Sequence, residues 1–92
     1  MTPVELTLIG RPGCHLCEDA RAAIAGVLAS PAIAGADISV RVRELSLLDD
    51  PELLARYADD IPVVLINDRQ HTFWRVDPAR LTAALQKAST AA

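Results

Sequence analysis

Residues 4–17 read VELTLIGRPGCHLC, and this stretch decides the fold. Alternate apolar residues of 4–9 share one face, and Ile9 makes the end of the segment almost continuously apolar. This pattern is typical of a central strand that is covered on both sides. Residues 10–13 follow as a turn, because two glycines enclose an Arg-Pro pair. The chain then enters a helix, so Cys14 and the cysteine three residues later mark a strand-to-helix junction.

The helix after this junction is predicted over residues 15–29. Its apolar residues recur at helical spacing. Glu18 and Asp19 lie in its first turn, where the helix dipole favours acidic side chains. Ser30 and Pro31 end it, because a residue before proline avoids the helical conformation.

The middle of the chain continues with a strand and a second helix. Apolar and polar residues alternate over 38–43, which predicts a strand with one solvent-facing side, near the edge of a sheet. An Asp cap followed by proline predicts a short helix over residues 51–58. Leu53, Leu54 and Tyr57 are expected to face inward from it.

The C-terminal part is predicted as a β-hairpin followed by a helix. Asp77 and Pro78 start this helix, and Leu81 and Leu85 face inward from it. Residues 89–92 are expected to form a frayed tail. The hairpin consists of a strand over 62–66, a turn over 67–70 and a strand over 71–75.

The element order is therefore β-α-β-α-β-β-α. The first β-α-β unit must cross over right-handed between parallel strands, and the last two strands form an antiparallel hairpin. We expect an α/β fold in which a mixed four-stranded sheet carries helices on both faces. At 92 residues the chain forms a single domain.

Composition excludes several classes of function. The formal net charge of −3 lacks the excess of Lys and Arg that binding a phosphate backbone requires, so no nucleic acid partner is expected. No apolar run approaches the length of a membrane span, and no membrane partner is expected. The first residues show no secretory signal, so a cytoplasmic location is expected. We also expect a monomer.

Cys14 and Cys17 are the two cysteines of the chain. A secreted scaffold of this size normally carries four or more, and a bridge closing so short a loop contributes only about 2 kcal/mol of unfolded-state entropy. A C-x-x-C pair in a βαβ context favours redox chemistry. Half of a zinc site and inert packing are the alternatives.

The position of Cys14 favours a reactive thiol. At the helix cap, the free N–H groups of the first turn and the helix dipole stabilise the thiolate. Arg11 and His15 can add positive charge, although His15 fits equally well as a solvated residue. Cys17 lies one turn further on the same side, within about 5–6 Å. We therefore assign Cys14 as the attacking nucleophile and Cys17 as the resolving thiol, deeper in the protein.

The sequence resembles the glutaredoxin-like family of the thioredoxin superfamily, among small proteins with a Cys-x-Leu-Cys site. The resemblance implies a thioredoxin-like fold, thiol–disulfide oxidoreductase activity and a cis Ile61–Pro62 peptide beside the cysteines. Pro62 would then present its ring to the sulfurs, and the backbone of Ile61 would pair with an extended substrate. The matching segments are 6–9, 11–20, 61–64 and 73–81.

Glutathione recognition is the part of the resemblance that this sequence departs from. Glutaredoxins carry Pro-Tyr between the cysteines, where this chain has His15 and Leu16. They also carry a Gly-Gly pair where Arg75 and Val76 stand, and these side chains would obstruct glutathione. Arg11 and Asp77 nevertheless occupy positions that could clamp its two ends. No bound cofactor is expected, and these departures disfavour glutathione as the reductant.

Thioredoxins differ as well, since they bury an Asp behind the second cysteine where this chain has Leu8. No carboxylate is therefore evident to deprotonate Cys17. Trp74, the sole tryptophan, is expected to pack against the sheet rather than to bind substrate.

The favoured hypothesis is an oxidoreductase that reduces disulfides of proteins or small thiols. Its electrons would come from a reductase or from glutathione. Two alternatives remain open: a module that binds a metal or iron–sulfur cluster through Cys14, and a non-catalytic interaction domain. No metal site within the chain itself is predicted, because the chain offers at most Cys14, Cys17 and a histidine, and His15 lies too close in sequence to be a natural ligand.

Overall fold

A mixed sheet of four strands is the central layer of the computed structural model, which describes residues 3–90. The strands are β1 (Val4–Gly10), β2 (Val40–Ser46), β3 (Val63–Ile66) and β4 (Arg69–Phe73). Their order in the sheet is β2-β1-β3-β4. β1 is parallel to β2 and antiparallel to β3, and β3 is antiparallel to β4. The predicted mixed sheet, with β1 in the interior, is confirmed.

Three helices cover this sheet: α1 (His15–Ala29), α2 (Pro51–Tyr57) and α3 (Pro78–Thr90). One apolar core joins β1 to α1 and α3 through Leu6, Ile24 and Leu81. A smaller core on the other face joins Ile9 to Tyr57 of α2. Helices therefore lie on both faces, as predicted. None of the helices between residues 3 and 90 is long and apolar enough to cross a membrane.

β2 is the edge strand that the alternating pattern predicts, but it lies further along the chain than 38–43. Its seven residues pair with all seven of β1, from Val4 opposite Val40 to Gly10 opposite Ser46. This pairing extends the strand past the alternating segment. Ile38 precedes the strand and packs against the larger core.

The hairpin between β3 and β4 turns on two residues rather than on the predicted four. Asn67 and Asp68 have φ values of 51° and 66°. A two-residue turn with both central residues at positive φ matches the twist of the strands, and Asn and Asp tolerate that conformation. β4 therefore begins at Arg69 and ends at Phe73, two residues before the predicted end at residue 75.

The structure differs from the prediction at one helix face, and it places part of the predicted frayed tail in α3. Leu54 remains 47% exposed, because a helix of seven residues buries only one narrow face, which carries Tyr57. α3 continues through Ser89 and Thr90, whose hydroxyls donate hydrogen bonds to carbonyls one turn earlier. The remainder of the predicted frayed tail, residues 91 and 92, lies outside the described residues.

Candidate functional site

Cys14 lies at the N-cap of α1, immediately after the turn that follows β1. Its backbone is extended, with φ −99° and ψ 113°, so the helix begins at the next residue. Its Sγ accepts a hydrogen bond from the backbone N–H of Cys17 at 3.2 Å, and its carbonyl accepts one from Glu18 at 3.1 Å. An N–H aimed at sulfur from the positive end of a helix favours the thiolate over the thiol.

Cys17 lies one turn into α1 and is joined to Cys14 by a disulfide, with the two Cα atoms 5.2 Å apart. Cys14 is partly exposed, whereas Cys17 is only 1% exposed. One sulfur is therefore accessible to a substrate, and the other can react only through the first.

Gly10 makes room for Cys17, a role that the sequence analysis missed by placing Gly10 in a turn. It is the last residue of β1, and a Cβ built on it would lie 2.8 Å from Cys17 Sγ and 3.2 Å from Cys17 Cβ. Contacts that short force one group to shift. One sequence feature could have revealed this role: the glycine ends an apolar strand, four residues before a C-x-x-C pair.

Pro62 and Ile61 lie at the start of β3, where the chain returns to the site. The Ile61–Pro62 peptide bond is cis, and Pro62 is fully buried. Ile61 lines the same groove as Cys14. Within residues 3–90 the backbone amide and carbonyl of Ile61 have no hydrogen-bond partner. They are therefore available to an extended chain lying in the groove.

The groove beside Cys14 has a volume of 550 Å³ and is formed by the ends of several elements. Arg11 lies in it. Arg75 lies in it too, on the side where glutaredoxins have glycine. The residues that line it are Arg11, Cys14, Leu16, Ala58, Asp59, Ile61, Trp74 and Arg75.

Trp74 is the clearest departure from the sequence prediction. It was expected to pack against the sheet, yet it is 53% exposed and lines this groove. The reason is its backbone, which takes a φ of 67° directly after β4 and turns the side chain out of the sheet. No residue pattern signals such a conformation for tryptophan.

His15 and Asp77 do not join Cys14 in the groove. The His15 side chain is 98% exposed, with Nδ1 3.9 Å from Glu18 Oε2. Asp77 Oδ1 instead accepts hydrogen bonds from the amides of Ala79 at 2.9 Å and Arg80 at 3.3 Å. Asp77 is thus engaged as the cap of α3, which is its other predicted role.

We expect Asp77→Ala to destabilise the protein by about 0.5–2 kcal/mol, because two amides of the first turn of α3 lose their acceptor. Urea denaturation measures this loss. Disulfide exchange with a protein substrate should remain within twofold of wild type. A variant of unchanged stability that lost its response to glutathione would instead support the clamping role.

A second cleft, of 310 Å³, lies behind Cys17 between α1 and β2. Arg21, one turn after Cys17, donates from Nε to Glu44 Oε1 at 2.8 Å across it. This bond and the charge of Glu44 raise the pKa of Arg21. Asp49 also lines the cleft. Carboxylates therefore do share a cavity with Cys17, although they come from β2 and the turn after it rather than from the position of Leu8.

His71 lies on β4, away from the cysteines, in a cleft that also contains Lys87. Partial burial lowers its pKa below the usual value, and the nearby charge of Arg80 acts in the same direction. Both effects favour the neutral form of the imidazole. Between residues 3 and 90, no three His, Cys, Asp or Glu side chains lie close enough together to hold a metal ion.

The parallel β1–β2 pair, the antiparallel β3–β4 pair, and the cysteines at the start of α1 define a thioredoxin-like fold. Residues 5–86 match the family model described as "Glutaredoxin-like domain (DUF836)". The match spans most of the chain, and the protein belongs to this family.

Relatives and solved structures agree with this assignment. An uncharacterised protein of Mycobacterium tuberculosis is 29% identical over 89 residues, covering 97% of this chain and 90% of that protein. A structure from X. campestris superimposes with a TM-score of 0.68 at 29% identity, covering 89% of this chain and 96% of the other. A thioredoxin of Malassezia sympodialis, at 16% identity and a TM-score of 0.63, covers 95% and 76% of the two chains and shares the fold.

One similarity is to part of a larger protein. The tRNA modification GTPase MnmE of Prochlorococcus marinus is 34% identical over 89 residues, which is 94% of this chain but 18% of that protein. A segment similar to this domain therefore forms part of a longer polypeptide.

Proposed function

We propose that this protein is a thiol–disulfide oxidoreductase that reduces disulfides with the Cys14–Cys17 dithiol. One observation carries the proposal: the partly exposed Cys14 caps α1 and opens onto a groove, while its disulfide partner Cys17 is buried behind it. This arrangement provides one sulfur for attack and one for resolution.

The reaction consists of two exchanges. The Cys14 thiolate attacks one sulfur of the substrate disulfide, which forms a mixed disulfide and releases the other sulfur as a thiolate. Cys17 then loses its proton to water and attacks Cys14 Sγ. This second attack forms the Cys14–Cys17 disulfide and releases the remaining substrate thiolate. The substrate has gained two electrons, and the protein dithiol has lost them.

Electrostatics support attack by Cys14. Its sulfur already accepts a backbone N–H of the first helical turn, and the helix dipole adds partial positive charge there. Arg11 lines the same groove and adds a full positive charge. His15 points into solvent and contributes little to the positive electrostatic potential at the Cys14 sulfur.

Substrate would bind along the groove in an extended form. The backbone groups of Ile61, which have no hydrogen-bond partner among residues 3–90, can bind an added strand, as in recognition by strand addition. The electron donor is proposed to be a reductase dithiol or two glutathione molecules. A reducing compartment such as the cytoplasm would keep the pair as a dithiol.

A coupled assay with insulin as the substrate tests the proposal. NADPH consumption is followed once with glutathione and glutathione reductase, and once with thioredoxin reductase. We expect one of the two systems to reduce insulin faster when the protein is added. No acceleration in either system, or with dithiothreitol as the reductant, would overturn the proposal. Visible absorbance of the purified protein would instead support the cluster-binding alternative.

A further inference from the structure

Trp74 is held in a conformation that tryptophan rarely adopts. Its φ is 67°, and the Arg75 N–H donates to the Phe73 carbonyl at 2.8 Å, which closes a γ-turn around it. Turns of this kind with positive φ are rare and strained, and a bulky residue in them is an outlier. Strain of this kind persists only where the surroundings enforce it, and it is concentrated at functional sites.

The residues that hold Trp74 in this conformation belong to the loop that leads into β3. The Trp74 N–H lies 2.9 Å from the carbonyl of Pro62 and 3.3 Å from that of Asp60. The indole Nε1 donates to the Asp59 carbonyl at 3.0 Å. The ring also meets Phe73 edge to face, with centroids 5.0 Å apart. Trp74 is thus both exposed and fixed in place.

This fixed ring lies beside the attacking sulfur. Trp74 and the exposed Leu16 line the groove of Cys14, and both residues also line a neighbouring cleft. The residues lining the groove include two arginines, Arg11 and Arg75, and one carboxylate, Asp59. Aromatic surface beside arginine is the composition of binding hot spots.

We propose that Trp74 is a platform for a large apolar side chain next to the substrate's disulfide. The occupant of the groove is then an extended protein segment with an apolar residue beside its cysteine and an acidic residue within reach of the arginines. A small disulfide such as oxidised glutathione would leave the ring uncovered. This inference rests on the proposed function, since it names the substrate class of the same site.

Two matched peptide disulfides test the platform, one with Phe and one with Ala beside the cysteine. We expect wild type to reduce the Phe peptide about tenfold more efficiently in kcat/KM, a ratio that corresponds to about 1.4 kcal/mol. Trp74→Ala should remove this preference by lowering kcat/KM for the Phe peptide more than for the Ala peptide or for 2-hydroxyethyl disulfide. Trp74→Phe should retain part of the preference. Leu48→Ala, at a residue 71% exposed and outside the groove, should retain all of it.

An unchanged preference in Trp74→Ala would overturn the proposal. An equal loss with both peptides and the small disulfide would also overturn it, because that result would mean that Trp74 maintains the geometry of the cysteines and does not bind the substrate side chain. Binding is measured separately, with peptides carrying Ser for Cys and the fluorescence of the sole tryptophan. A fluorescence change with the Phe peptide and none with the Ala peptide supports the platform even if no disulfide is reduced. Equal responses contradict it.

Discussion

Replacement of Cys17 by Ser should leave substrates trapped on Cys14 as mixed disulfides, whereas Cys14→Ser should abolish exchange. Cys17 is the other cysteine of the chain and is 1% exposed, so with Cys14 removed no accessible thiol remains to attack a substrate. With Cys17 removed, attack still occurs but resolution does not. We expect Cys14→Ser to lower the exchange rate at least about a hundredfold, as loss of a nucleophile does.

Mass spectrometry of the trapped species identifies the sulfur that carries the substrate. The two variants are matched controls, because each removes the same four-residue bridge and loses the same small stabilisation, about 2 kcal/mol. Substrate linked through Cys17, or Cys14→Ser that keeps its full rate, would reverse the assigned roles.

Gly10→Ala should damage both the stability of the protein and the resolving step. The added Cβ would lie 2.8 Å from Cys17 Sγ, and this sulfur is confined by α1 and by its bond to Cys14. Overpacking of this kind costs about 1–3 kcal/mol. Urea denaturation measures the loss of stability, and the lifetime of the mixed disulfide measures the slower resolution.

Gly26→Ala is the control for this variant. Gly26 lies in α1, and apart from its chain neighbours and its own helix backbone no atom lies within 4 Å of an added Cβ, so the substitution should stabilise the protein by about 0.5–1 kcal/mol through helix propensity. If Gly10→Ala matched wild type in stability and in resolution, the close approach of β1 to Cys17 would not constrain the site.

Local patterns predicted the presence and order of the helices and the hairpin, because each depends on neighbouring residues, although the turn and the bounds of β4 differ. The bounds of α1 agree with the predicted 15–29, since its apolar spacing and its Ser30-Pro31 stop are local. The bounds of β2 were wrong because pairing with β1, some 36 residues away in register, extends it to Ser46. No local pattern contains that information.

The sequence predicted the part of the site whose chemistry comes from the C-x-x-C motif. Cys14 and Cys17 were found from their spacing, and Ile61 and Pro62 from the family resemblance. The outward Trp74 was not found, because its conformation depends on carbonyls 12 to 15 residues earlier in the chain. The proximity of Glu44 to the cavity of Cys17 likewise depends on strand register.

The central claim is that the start of α1 makes Cys14 the reactive thiol, and the pH dependence of its alkylation tests this most directly. Iodoacetamide is reacted with the fully reduced protein from pH 5 to 10, and modification of each cysteine is followed by mass spectrometry. The unfolded protein serves as the reference. We predict that Cys14 reacts first and with a midpoint below that of the unfolded thiol, near 8.5. A midpoint at or above the reference, or faster modification of Cys17, would contradict the account.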